Sequence, residues 1–89
     1  MLKDRFEESA NSLISPAEDC FVIVPGDGVE LTQATKAIFI GVAGDVALIP
    51  LRGGAAITFR NLPSGSILDV RARAVMATGT TATDLVGLS

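Results

Sequence analysis

The chain has 89 residues, 48% of them hydrophobic and 19% charged, so it can build one core and is neither a disordered tail nor a membrane span. It has no His, Trp or Tyr, one Cys and four Phe, which removes the commonest proton carrier and metal ligand, an internal disulfide and a zinc finger. The formal net charge of −3 sits in residues 1–19, where Lys3 and Arg5 face Asp4, Glu7, Glu8, Glu18 and Asp19, while the rest of the chain balances.

In chain order, residues 1–19 read as an acidic arm. Leu2, Phe6, Ala10, Leu13 and Ile14 fall on one stripe of a short helix. A helix of about a dozen residues is marginal alone in water, and Pro16 disfavours the helical conformation at Ser15. The arm is therefore expected to be a short helix or an extended segment that docks on something else. It lacks the basic start and long apolar run of a secretory leader, so synthesis in the cytoplasm is expected.

Residues 20–89 read as a β-domain. Residues 20–24 are β-branched and aromatic, stop at Pro25-Gly26-Asp27-Gly28, and carry Cys20 as a small core residue. Residues 36–42 and 45–51 are two further strands, joined by a tight hairpin at Ala43-Gly44-Asp45. Pro50 donates no amide hydrogen, which places the second of them at a sheet edge or ends it there. A strand at 55–62 alternates Ile57 and Phe59 against Thr58 and Arg60. The longest strand, 66–76, alternates Leu68, Val70, Ala72, Ala74 and Met76 against Asp69, Arg71 and Arg73. A last strand covers 83–88. About six short strands predict an all-β fold, a small antiparallel β-sandwich or barrel with an N-terminal arm.

No catalytic, cofactor or metal site emerges. The Ser and Thr hydroxyls have no His to activate them, the glycine-rich pieces lack phosphate-loop spacing, and the acidic turn at 25–30 lacks the ligand pattern of a calcium loop. The chain reads as a non-enzyme without a cofactor. Four Arg between positions 52 and 73 in an otherwise acidic, aromatic-poor chain do not make a nucleic-acid interface, and no uncharged apolar run is long enough for a bilayer. What stands out is apolar character on both faces of the expected hairpin: Ala37, Phe39 and Gly41 against Ile38, Ile40 and Val42, then Ala47, Ile49 and Leu51 against Val46, Leu48 and Pro50. A domain this small has no interior for both, so one face is expected to be covered by a neighbouring chain. The candidate assembly residues are Phe6, Leu13, Ile14, Phe39, Ile49, Arg71 and Arg73.

Several pieces in order carry a resemblance: Ser15-Pro16-Ala17; Val24-Pro25-Gly26-Asp27 leading to Leu31-Thr32; Thr35-Lys36-Ala37-Ile38-Phe39-Ile40-Gly41; the Gly44-Asp45 turn; and Ile57-Thr58-Phe59-Arg60-Asn61-Leu62-Pro63-Ser64-Gly65. The most distinctive piece is the end, from Leu68-Asp69-Val70-Arg71-Ala72-Arg73-Ala74 through Thr78-Gly79-Thr80-Thr81 to Asp84-Leu85-Val86-Gly87-Leu88. Together they resemble the spike base proteins of gene transfer agents and of tailed phages of alphaproteobacteria. Asp69 stands where that family often has a Pro-like residue, and Ser89 where an aromatic often closes the chain. The resemblance implies a virion structural protein, an oligomeric spike base at the head vertex. Its partners would be copies of itself, a pentameric ring being one arrangement, a capsid or other virion protein, and a spike fibre or tip protein. Two other classes stay open: a receptor- or glycan-binding module of a tail fibre or baseplate, and a small β-domain binding protein of the host.

Overall fold

The computed structural model describes residues 16–89. Seven strands follow one another: β1 (Cys20–Val22), β2 (Ala37–Val42), β3 (Gly44–Pro50), β4 (Ile57–Leu62), β5 (Ser66–Leu68), β6 (Ala72–Val75) and β7 (Thr83–Leu88). They form two antiparallel sheets, sheet A in the order β1-β7-β2-β5 and sheet B in the order β4-β3-β6. The expected all-β sandwich is what residues 16–89 fold into.

The connection at Gly44 differs from expectation. β2 and β3 do not pair as a hairpin; β2 lies in sheet A and β3 in sheet B, so Ala43 and Gly44 form a corner between the layers. This accounts for most of the two-sided apolar character. Ile38 and Ile40 of β2 and Val46 and Leu48 of β3 point into one interior, where all four are fully buried with Leu85 and Val75. On the other side of β3, Ala47 is closed off by the chain itself, since its amide donates to Thr80 Oγ1 (3.0 Å) and its carbonyl accepts from the Met76 amide (2.8 Å). On that side of β3 Ala47 is thus covered within the subunit, while Ile49 stays half-buried and Leu51 exposed. β3 also lies at the centre of its sheet rather than at an edge, although it does end at Pro50.

The long strand expected over 66–76 is two strands in different sheets. β5 pairs with β2, residues 69–71 cross over, and β6 pairs with β3. The even alternation holds through Leu68, Val70 and Ala72, all on or in the core, and is broken at a register shift in the β3–β6 pairing. Ala72 and Val75, three apart, join the central cluster, while Ala74 is buried opposite Ile49 and Met76 is only half-buried. Thr35 spans the break from outside the sheet: its Oγ1 accepts from the Ala72 amide (3.1 Å) and donates to the Val70 carbonyl (3.3 Å), and its amide donates to the Ala72 carbonyl (3.1 Å). It is the buried polar residue of the domain among the described residues.

Two smaller expectations are also corrected. Cys20 is exposed, because it begins an edge strand and alternation turns Phe21, not Cys20, toward the core. Ile57 is 49% exposed, because β4 is the edge of sheet B and begins there.

The loops are fastened by carboxylates. Asp45 Oδ1 accepts from the Asn61 amide (2.9 Å), and Arg60 lies 3.5 Å from its Oδ2. This holds the register shift in which Asn61 takes a positive φ of 59°, a conformation that Asn tolerates better than most side chains. Asp27 accepts from the Thr78 hydroxyl (2.6 Å) and from the Thr78 and Ala77 amides (3.0 Å each). These donors, the Thr78 hydroxyl foremost, hold its carboxyl below the ordinary value of 3.8. A depressed folded-state value means that the stabilisation is present above the unfolded value and is lost as the pH falls through the folded one. Asp27→Asn is therefore expected to lower the melting temperature at neutral pH, with the gap to the wild type closing as the pH drops below 3.8. Thermal melts across that range check this; a gap of constant size down to the most acidic point would count against the tether.

Candidate assembly surface

Cross-strand partners in an antiparallel sheet share a face. In sheet A, Val22 opposes Val86, Val86 opposes Phe39, and Phe39 opposes Ile67. These four side chains form one line across all four strands. Their chain neighbours Phe21, Ile38, Ile40, Leu85 and Leu68 pack on or in the core, so the line lies on the outer face. Val22 is 74% exposed, Ile67 59% and Phe39 36%. Val86 between them is half-buried, so the row sets an apolar side chain from every strand in register, three of the four open to water and outside the subunit's own core.

The inner face explains why the row is continuous. Directly beneath it, Phe21, Gly87, Ile38 and Leu68 form the matching inner row. Gly87 leaves room for the Phe21 ring, which would lie 2.5 Å from a Cβ at position 87. The ring thus lies against the β7 backbone, and short β1 stays seated beside β7. The chain just before β1 is fixed as well: the Glu18 and Asp19 amides donate to the Ser89 carbonyl (2.7 and 3.0 Å), and the Ser89 amide donates to the Asp19 carbonyl (2.8 Å). Gln33 Nε2 donates to Asp19 Oδ2 (2.9 Å).

The structure places the sequence-derived candidates unequally. Phe39 lies in the middle of the outer row. Ile49 is half-buried in sheet B opposite Ala74, well apart from that row. Arg73 is held within its own chain, paired with Glu30 and donating from Nε (3.3 Å) and Nη2 (3.0 Å) to the Gly53 carbonyl. Arg71 is half-buried, and its carbonyl accepts from the Leu51 amide (2.9 Å). Phe6, Leu13 and Ile14 lie outside the described residues. Sequence reasoning missed Val22, Val86 and Ile67 because each joins Phe39 through a pairing distant along the chain; only the apolar character of each strand's outward residue hints at it.

Among the described residues no group of His, Cys, Asp or Glu could hold a metal ion, and no helix is long and apolar enough to cross a membrane. No protein-family model and no curated protein match the chain. Among solved structures, the capsid of a native gene transfer agent particle, computed with C5 symmetry, contains a chain of the same fold. It superposes with a TM-score of 0.78 at 37% sequence identity, covering 97% of this chain and 99% of that one. A shared fold at that identity over nearly the whole of both chains is common descent, and the chain described here belongs to the family of that capsid component, as a structural protein of a gene transfer agent or phage virion.

Proposed function

We propose that the protein is the base of a spike on the particle head, a non-enzymatic homo-oligomer at a capsid vertex that links the shell to a separate fibre or tip protein. The observation that carries this reading is the outer row of sheet A, an apolar surface on a domain whose own core is already complete. The kinship with a component of a capsid whose structure was computed with C5 symmetry supports it, since five copies around a vertex would obey that symmetry. Phe39 and Ile49 contribute apolar contacts between subunits or to the shell, and Phe6, Leu13 and Ile14 are the arm's contacts to its neighbours. Arg71 and Arg73 meet acidic groups across a subunit boundary, Arg73 in addition to the pair it makes with Glu30 in its own chain.

Electron microscopy of particles from cells lacking this chain tests the assignment. Normal heads and tails without head spikes are expected, with spikes restored by the full chain and reduced at least tenfold with Phe39→Asp. Loss of density at the tail tip instead, or particles indistinguishable from the wild type, would overturn the reading.

A further inference from the structure

We infer that the outer row of sheet A is the seat for residues 2–14 of a second copy, so that an exchanged arm joins neighbouring subunits. This rests on the oligomeric base proposed above and names its contact.

The size of the row selects its occupant. Val22, Val86, Phe39 and Ile67 together expose on the order of 300 Å² of apolar side chain, well short of the ~800 Å² that each body contributes to a standard interface between globular partners. Two such faces pressed together make a poor dimer. A single segment with one apolar stripe fits better. The row crosses three inter-strand gaps of ~4.8 Å, a line about 14 Å long. Leu2, Phe6, Ala10, Leu13 and Ile14 span 12 residue steps, about 18 Å at the helical rise. The segment is as long as the site, is apolar on one side, and needs a partner to be stable.

The exit of the chain selects the copy. The bonds from Glu18 and Asp19 to Ser89 extend the line of β1 past the end of sheet A. Residues 18 and 19 follow that line away from Val22, and a proline disfavours the helical conformation in the residue before it, here Ser15. To cover its own row the arm would have to reverse over the few residues that are pinned to Ser89. The arm of a neighbour approaches without such a reversal, and exchange of an identical element between subunits is a common route to oligomers.

Sedimentation of full-length chains tests the exchange. Ile67→Asp blocks the row, and the double variant Phe6→Asp, Leu13→Asp blocks the arm. Each alone is expected to raise the dissociation constant of the oligomer at least tenfold. An equimolar mixture of the two is expected to recover a dimer, because the arm-blocked chain still offers a row and the row-blocked chain still offers an arm. Val22→Lys, at the other end of the row, replaces Ile67→Asp if circular dichroism shows that the latter does not fold. A mixture of folded variants that stays monomeric overturns the exchange, as does a wild-type monomer whose outer-row amides are protected from hydrogen exchange by its own arm. An oligomer indifferent to both variants overturns the arm–row contact and leaves the oligomeric base standing. A monomeric wild type with an exposed row overturns both.

Discussion

Gly44→Ala is expected to destabilise the domain by about 3 kcal/mol or more, enough to remove much of the stability of a chain this small. A Cβ at position 44 would stand 2.5 Å from the Ala82 amide nitrogen, 2.8 Å from Ala82 Cα and 2.8 Å from Thr81 Oγ1. Backbone cannot rotate aside as a side chain can. Nor can residues 81 and 82 withdraw, because their amides donate to the Asp45 carbonyl (2.8 and 3.1 Å) and Thr81 Oγ1 accepts from the Asp45 amide (2.9 Å). The clash and those three bonds occupy the same few ångströms. Were Gly44 the tip of a hairpin, Ala would cost only the ~1 kcal/mol of an unfavourable φ. Gly65 is the internal control: its φ is 79° and nothing lies within 4 Å of a Cβ built there, so Gly65→Ala should show that smaller loss. Denaturant unfolding of both variants separates the cases, and equal losses would mean that position 44 is not the tight corner described.

The same corner shows which parts of the fold are legible in the sequence. Strand positions and fold class follow from local patterns: residues 37–42, 44–50, 57–62 and 83–88 are strands close to where apolar residues and turn signals place them. Pairing is not local. A short Gly-containing connection between two apolar strands has the signature of a hairpin whether the chain turns back within one sheet or steps across to the other. What decides is Ala82, thirty-eight positions on from Gly44, packed where a hairpin partner would otherwise run. The outer row was half visible for the same reason. Phe39 is conspicuous as an aromatic in an apolar run, but its partners Ile67 and Val86 are fixed by registers that run between distant strands. The resemblance to gene transfer agent proteins needed no register, since it rests on the order of short motifs along the chain, and the match to a capsid component bears out that much of it.

Thr35→Val is expected to cost about 2 kcal/mol although it changes neither size nor shape, whereas Thr35→Ser, which keeps the hydroxyl and removes a methyl, should cost about 1 kcal/mol. The difference comes from the amide of Ala72. That residue is fully buried, and Thr35 Oγ1 is the acceptor of its amide; valine would leave the amide dry and unpaired, along with the Val70 carbonyl that the hydroxyl reaches from the other side. The reason such a residue is needed lies in the crossover. At 69–71 the chain lies between the two ladders, and Ala72 opens β6 opposite Pro50, so the Val70 carbonyl and the Ala72 amide turn to Thr35 for their partner. A side-chain hydroxyl can serve both, because it both donates and accepts from one atom. For a domain this small, 2 kcal/mol lowers the melting temperature by roughly 10 °C, which calorimetry resolves. A valine variant as stable as the serine one would show that water or a shifted backbone serves Ala72 equally well, and that the crossover does not depend on Thr35.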